Sequence, residues 1–592
     1  MNKATRLTTS VLSVAALGFV AACGNGGESG PQGNGGASGG PDSSEVILDD
    51  NGFALYTGDP QQGGTVTVLG GVDFRSLDPA VGNDGNVNNL YQLIYRYLTQ
   101  YTYNPETEEM ELVGDLAEDW ESNDEATEWT FTLKEGIHFE DGSPITAEDV
   151  KFGIERAFDP SLAIGSDYLK TYIDGAREYN GIFEEPEGLD SIIVEDERTI
   201  TFRLDQPVAS FPAIVATPPG APFPADQVDS PAQIADAPIA SGPYKVASYR
   251  EGDVLELERN EHWDPETDPI RPGHADAYEF LLSLDSSTID QRMMAQQGSD
   301  VNAISSSTNP LQAANLAQVQ QNPELAERTV RGLPTCTTYL GFNMTKEPLD
   351  NLEVRQALTY AVDKQSVVNA SGGPLLAEVA HEMLLPAVPG REEFNLYESE
   401  EDRGDKERAQ QMLEDAGYAD GLSFTMDVRN LPVWQAQAES VQQAFSEIGV
   451  DVTLNVIDAA NYYETIQNPS QQNDLAITGW CTSGWYSGQP LLEPLFHGER
   501  ISDSGNNNLA QLDDEDINAA FDEAGVMTDL DEQNAAYSDI NRMIMEQAPV
   551  VPLVRQTNLQ MVGENIGGAY AHPSRTGYID YNGLGLLEPG EQ

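Results

Sequence analysis

The pattern that most constrains the fold is a helix that ends at a glycine and is followed at once by a strand. Residues 433–449 read VWQAQAESVQQAFSEIG, with apolar residues at helical spacing before the closing glycine. The next residues alternate, so that Val450, Val452, Leu454 and Val456 share one face of a strand. Helices and strands joined this closely are typical of α/β domains. The sequence therefore predicts an α/β fold.

The same signals recur through the body of the chain. Strand-like alternation is present at 63–70, 127–139 and 197–208. Thr146, with an aspartate three residues later at Asp149, predicts a capped helix start. A chain of 592 residues is too long for one core, and we expect two or three lobes.

The charge balance excludes one large class of partner. The chain has 98 acidic and 30 basic residues, a net charge of -68. Such a surface repels phosphate backbones, and we predict no nucleic-acid binding. The acids are spread along the whole chain, which favours a role in solubility, including in a saline medium. The alternative is a surface selected for a cationic ligand.

The N-terminus predicts export and a lipid anchor. Lys3 and Arg6 precede a short apolar run that is too short to span a bilayer, which is typical of a signal peptide. Residues 20–23, Val-Ala-Ala-Cys, resemble a bacterial lipobox, in which the cysteine becomes the lipidated N-terminus. We predict a signal peptide over 1–22 and lipidation at Cys23; a plain signal peptide with a chance cysteine is the alternative. Glycine- and serine-rich sequence then predicts a flexible tether over 23–61.

The two other cysteines are Cys336 and Cys481. Because an exported protein meets an oxidising compartment, we predict a disulfide, with two free buried thiols as the alternative.

The sequence contains no motif for catalysis or metal binding. The histidines do not have the i, i+4 spacing of a zinc helix, and the sequence contains no Cys-x-x-Cys. It also contains no Gly-x-Ser-x-Gly nucleophile elbow and no phosphate-binding glycine loop. We therefore predict a protein that is not an enzyme and has neither metal nor cofactor.

Several segments together resemble the peptide-binding family of extracytoplasmic solute-binding proteins of ABC importers. The segments, in the order that the family has them, are FRSLDPA (74–80), LAEDWESNDEATEWTFTLKEGIHFEDGSPITAEDVKFGIERA (116–157), ASGPYKV (240–246), YLGFNMTKEPLDNLEVRQALTYAVDK (339–364) and APVVPLV (548–554). The resemblance covers about residues 62–590.

The resemblance implies a two-lobed, periplasmic-binding-protein-like (type II) clam-shell with an additional inserted subdomain. Ligand would bind between the lobes and be enclosed by hinge closure. The domains that it implies are lobe I from 62–105, 226–335 and 551–592, an inserted subdomain over 106–225, and lobe II over 336–550.

One loop departs from the family pattern. In members with the motif Trp-Cys-x-Asp, the cysteine bridges to the start of the second lobe and the aspartate pairs with a peptide's α-ammonium group. Trp480 and Cys481 match that motif and Cys336 matches the partner position, but Ser483 occupies the aspartate position. A hydroxyl supplies no formal charge. The site should therefore contain another acid or prefer a ligand that is neutral there.

The resemblance also names candidate ligand contacts near the cleft. They are Phe74, Arg75, Asp78, Tyr244, Asn343, Trp480, Thr482, Ser483, Trp485 and Tyr486. For Asp78 the alternative is a cap of its own turn, and for the aromatic residues it is packing within a lobe.

The predicted function is a lipid-anchored, substrate-binding subunit of an ABC importer, held at the outer face of the cell membrane. Its partners would be the membrane permease and a small ligand, with short peptides as the first expectation, and the protein itself would be a monomer. Neutral oligosaccharides are the second ligand class. They are suggested by the missing aspartate and by the aromatic loop, which contains Trp480, Trp485 and Tyr486. A surface adhesin or scaffold without a small ligand is a third possibility.

Overall fold

The computed structural model describes residues 46–82, 85–162, 168–459, 461–481 and 485–588. The predicted signal peptide, Cys23 and most of the predicted tether lie outside these ranges. The end of the predicted tether is folded, because two short strands occur between residues 46 and 61. The prediction of a tether to residue 61 is wrong for this part, since Phe53 and Tyr56 are buried and supply apolar contacts that a linker lacks.

The strands are short, as expected for a mixed α/β protein. In chain order they are β1 (Ile47–Leu48), β2 (Ala54–Tyr56), β3 (Thr65–Leu69), β4 (Thr99–Asn104), β5 (Glu109–Gly114), β6 (Ala117–Ser122), β7 (Glu128–Leu133), β8 (Ile192–Val194), β9 (Thr199–Arg203), β10 (Tyr244–Arg250), β11 (Val254–Arg259), β12 (Ala277–Leu281), β13 (Ala303–Ser305), β14 (Thr329–Arg331), β15 (Cys336–Phe342), β16 (Ala377–Val379), β17 (Leu422–Arg429), β18 (Val450–Ile457), β19 (Leu475–Cys481), β20 (Val550–Gln556), β21 (Leu559–Met561), β22 (Ile566–Gly567) and β23 (Gly585–Leu586).

The helices of the described part are mostly in the second half of the chain. In chain order they are α1 (Gly85–Ile94), α2 (Ala147–Ala157), α3 (Tyr168–Tyr172), α4 (Phe211–Ile214), α5 (Gln233–Asp236), α6 (Ser286–Ala295), α7 (Ala313–Gln321), α8 (Pro323–Ala326), α9 (Leu352–Ala361), α10 (Lys364–Ala370), α11 (Lys406–Asp415), α12 (Pro432–Ser446), α13 (Tyr462–Ile466), α14 (Gly488–Phe496), α15 (Glu515–Gly525) and α16 (Leu530–Gln547).

The first lobe is built on a five-stranded sheet in the order β10-β11-β12-β3-β13. Strand β3 runs parallel to both of its neighbours, β12 and β13. A separate four-stranded sheet, β6-β7-β9-β8, and the β4–β5 hairpin lie in the chain between β3 and β10. This arrangement confirms the predicted type of fold, with extra structure inserted into the first lobe.

The second lobe is built on a six-stranded sheet in the order β16-β20-β15-β19-β17-β18. The predicted helix–glycine–strand unit is confirmed here: α12 connects the parallel strands β17 and β18, and Gly449, with φ of +80°, separates α12 from β18. Strand β20 extends six residues past 550, where the second lobe was predicted to end. Because β20 lies between β16 and β15, the sheet of this lobe includes a strand from the C-terminal part of the chain.

The chain crosses between the lobes at two adjacent places. Residues 332–335 connect β14 to β15, and residues 557–558 connect β20 to β21. Strands β14 and β21 pair with each other on the first-lobe side, while β15 and β20 pair on the second-lobe side. The N-terminal strand β2 lies beside β14 in the same sheet, so the earliest folded segment of the chain is next to the crossings.

Local signals account for several element ends. Asp149 accepts hydrogen bonds from the backbone N–H and the hydroxyl of Thr146, at 2.8 and 2.7 Å, at the predicted start of α2. Asp405 accepts from the backbone N–H of Arg408 at the start of α11, and Gly417 follows that helix with φ of +95°. In the described ranges, no helix is both long and apolar enough to cross a membrane.

Four buried charged residues form one network inside the first lobe. Asp115 accepts hydrogen bonds from Arg96 at 2.7 Å and from Arg271 at 2.9 Å, and Asp268 lies 3.1 Å from Arg271. Their side chains are no more than 2% exposed. Burial alone would raise the pKa of Asp268, but Arg271 and Arg96 outweigh it and hold that pKa below the usual range.

Replacing Asp115 by Asn should destabilise the protein by about 3–5 kcal/mol, because it leaves Arg96 and Arg271 buried without their shared carboxylate. Glu128→Gln is the control, since it breaks an exposed pair with Arg203 and should cost less than about 1 kcal/mol. Denaturant unfolding measures both. Equal effects of the two substitutions would show that the buried network is not a major source of stability.

Candidate ligand-binding site between the lobes

A disulfide lies at the end of β19, just before the position where the sequence departs from the family pattern. Cys336 and Cys481 are directly opposite each other in the β15–β19 pair and form a disulfide, as predicted. Trp480, the preceding residue, is half-buried, and its indole N–H donates to the carbonyl of Pro490 at 3.0 Å. The indole N–H of Trp480 therefore has its hydrogen-bond partner within the second lobe.

Trp485 contacts the inserted part of the first lobe. It is 1% exposed, and its ring meets Tyr168 and Tyr172 of α3 edge-on, with centroid separations of 4.9 and 6.4 Å. The side chain of Gln489, at the start of α14, donates to the hydroxyl of Tyr172 at 3.1 Å. We call these four residues the α3–α14 contact. It joins the two lobes through aromatic packing, a favourable interaction that exists only when they are close together.

Tyr486 extends the junction toward the base of the cleft. It is buried, and its backbone N–H donates to the hydroxyl of Tyr101 on β4. Burial raises the pKa of Tyr101, and this hydrogen bond opposes that rise only in part. The Tyr101 hydroxyl therefore stays protonated at physiological pH and is a fixed polar group at the junction.

A cavity of about 300 Å³ lies at the lobe junction beside both chain crossings. Tyr486 is one of its lining residues, so the cavity adjoins the loop that the sequence singled out. The others come from β2, the β4–β5 hairpin, β14, β16, the two crossings and the segments that follow β16 and β22, namely Leu55, Tyr103, Glu108, Arg331, Gly332, Leu333, Pro334, Glu378, Pro386, Ala387, Thr557 and Pro573.

The charged lining residues of this cavity are two acids and one arginine. Glu108 is exposed in the β4–β5 turn, and Glu378 is half-buried on β16. Arg331 lies 3.6 Å from Asp49, so an acid outside the cavity offsets its charge. The described lining therefore favours a positive group over a negative one.

The sequence did not identify most of this lining. Leu55 lies in the segment predicted to be a tether, and Glu378 is one of many acids without a motif. Among the described residues, no group of three or more His, Cys, Asp or Glu side chains is placed to hold a metal ion.

The turn at 74–80 is close to the first-lobe core. Asp78 is fully buried, and its two carboxylate oxygens accept from Arg156 of α2, both at 2.8 Å. One of these oxygens also accepts from the backbone of Ala80, so the capping alternative is present as well. Phe74 packs edge-on against Phe280, with centroids 5.5 Å apart, and Arg75 is exposed.

The remaining candidates are divided between the lobe cores and residues outside the described ranges. Tyr244 is buried and its hydroxyl donates to the carbonyl of Ala275 at 2.9 Å. Asn343 is buried after β15, where its side chain accepts from Thr345. Thr482 and Ser483 lie outside the described residues. Of the predicted contacts, Tyr486 is the one that lines the cavity described above.

Comparison with known proteins identifies the family. The model of the bacterial extracellular solute-binding proteins, family 5 (middle region), matches residues 111–503. The glutathione-binding protein GsiB of Salmonella typhimurium is 25% identical over 521 residues, covering 87% of this chain and 93% of that protein. Heme-binding protein A of Haemophilus influenzae is 26% identical over 496 residues, covering 80% and 83%.

A solved structure agrees in fold over nearly the whole chain. Clavulanic acid biosynthesis oligopeptide binding protein 2 has a TM-score of 0.85 and 30% sequence identity, covering 93% of this chain and all of that one. Members of this family are binding proteins rather than enzymes. The chain belongs to the family 5 bacterial extracellular solute-binding proteins, the substrate-binding components of ABC importers.

Proposed function

We propose that this protein is a lipid-anchored receptor that captures short peptides between its lobes and delivers them to an ABC importer. The observation that carries the proposal is a cavity whose walls come from both lobes and from both chain crossings. A ligand there would contact both lobes, and such contacts stabilise the closed arrangement over an open one. Closure would then be the signal that the permease recognises.

The size of the cavity supports a short ligand. Its volume of about 300 Å³ is at the lower end of the range of about 300–1,000 Å³ for small-ligand sites. The lining combines tyrosine rings and prolines with carboxylates, which suits the mixed apolar and polar surface of a peptide. The division into lobe I, an inserted subdomain and lobe II is part of this proposal, with lobe II extended to the end of β20 at Gln556.

Neutral oligosaccharides are the second candidate ligand class. They were suggested by the aromatic loop, because sugar faces stack on exposed aromatic rings. Trp485 is covered by Tyr168 and Tyr172, which leaves little of its ring for stacking. Trp480 is half-buried and remains the better candidate for a sugar contact. The balance of these contacts favours peptides.

Calorimetric titration of the purified protein with di- to pentapeptides and with neutral oligosaccharides tests the ligand class. We expect micromolar or tighter binding of some peptides and no heat of binding from the sugars. Tight binding of an oligosaccharide with no binding of peptides would contradict the peptide proposal and support the second class.

Lipidation is tested by replacing Cys23 with Ala. The variant should appear in the soluble fraction, because it lacks the acyl chains that would hold it at the membrane. Ser29→Ala, a change in the same tether, is the control and should stay with the membrane. Retention of the Cys23→Ala variant in the membrane fraction would exclude a lipid anchor at this cysteine.

A further inference from the structure

Glu378 lies in the cavity with its carboxylate poorly paired. It is the middle residue of β16, one of the two edge strands of the six-stranded sheet, and is directly opposite Arg555 on β20. Its carboxylate is 41% exposed and lies 3.8 Å from the Arg555 guanidinium, beyond hydrogen-bond length. Within the described part of the chain, no side chain or backbone N–H donates a hydrogen bond to it. A carboxylate at a cavity wall therefore retains acceptor capacity for a ligand.

Arg555 does not serve as a dedicated partner for Glu378. It is buried and donates to the backbone carbonyl of Leu384 at 2.8 Å. It is also shared with a second carboxylate, because Glu382 lies at the same distance of 3.8 Å. Glu382 is itself bound by Arg391 at 2.6 Å. The attraction of Arg555 is thus divided between two acids, and only Glu378 faces the cavity.

The other charges around the cavity do not neutralise Glu378. Arg331 is on the opposite, first-lobe side and lies 3.6 Å from Asp49. Glu108, in the exposed β4–β5 turn, adds a second negative charge. A cation that enters the cavity would therefore find an available carboxylate in a site of net negative charge, and it would be drawn there by a strongly acidic protein.

We infer that Glu378 binds a cationic group of the ligand, either an ammonium or a guanidinium. The inference rests on the proposed function and specifies the ligand chemistry at that site. Glu378 would supply the negative charge that Ser483 does not, from β16 instead of the loop after β19. A peptide can present such a cationic group in two ways, as its α-ammonium group or as a lysine or arginine side chain.

The test compares Glu378→Gln with the wild-type full-length protein in calorimetric titrations. The first probe is a tripeptide with a free amino terminus and no basic side chain, the second is its N-acetylated form, and the third is an N-acetylated peptide that contains lysine. We expect the substitution to weaken binding of cationic probes by about 10- to 100-fold, since it removes a charge-assisted hydrogen bond. Binding of the neutral acetylated probe should change less than about 3-fold, within the strength of a neutral hydrogen bond.

The free tripeptide and the acetylated lysine peptide show whether Glu378 binds the α-ammonium group or a basic side chain. A loss confined to the free tripeptide assigns the site to the α-ammonium group, and a loss confined to the lysine peptide assigns it to a side chain. In either case, added salt should weaken the wild-type interaction more than that of Glu378→Gln, because screening acts on the charge pair. A purely structural role for Glu378 would not produce this difference.

Two further variants are controls. Glu378→Asp keeps the charge and should keep the preference for the cationic probe. Glu128→Gln removes a charge that is 44% exposed and not part of the cavity lining, and it should change affinity less than about 3-fold. Equal affinities of wild type and Glu378→Gln for every cationic probe would overturn the inference about Glu378 and leave the proposed function standing. If the wild-type protein bound no peptide at all, the proposed function would fail, and this inference with it.

Discussion

The contact between the two chain crossings is the constraint on which the two-lobed structure depends. The backbone N–H of Gly332 donates to the carbonyl of Asn558 at 2.6 Å, so the crossings are hydrogen-bonded to each other. Residue 332 has to be glycine for this approach, because a Cβ there would lie 2.7 Å from the carbonyl oxygen of Gly577. With β14 paired to β21 and β15 paired to β20, the lobes can rotate about one short double connection without loss of pairing in either sheet. The cavity is lined by both crossings and would change shape with the angle between the lobes.

The neutral, aromatic composition of the segment that contains Trp480 and Trp485 has a physical explanation. The sequence contains no charge between Asp474 and Glu493. Strand β19 is in the middle of the six-stranded sheet, and Trp485 is buried against α3. An unpaired charge in either place would be costly, so neutral and aromatic residues are required. Much of the loop's composition therefore reflects packing within and between the lobes, and the ligand's charge would be met elsewhere, at Glu378.

Local patterns predicted much of the fold and little of the site. The α12–β18 unit and the start of α2 follow from periodicity, a closing glycine and a cap that act over a few residues. The two-lobed clam-shell came from family resemblance, and the disulfide was predicted from the oxidising compartment and then supported by the resemblance. The buried pair of Asp78 and Arg156 joins residues 78 positions apart, and no local pattern encodes such a contact. The same holds for Leu55 and Glu378, which become neighbours of the cavity only when distant segments meet.

The central claim is that ligand binding brings the lobes together around this junction. Small-angle X-ray scattering with and without the best-binding peptide measures it most directly. We expect a smaller radius of gyration with ligand, and a weaker compaction in Trp485→Ala, which lacks the largest side chain of the α3–α14 contact. An unchanged radius at ligand concentrations where calorimetry shows saturation would contradict closure and favour a binding or scaffold protein without lobe motion.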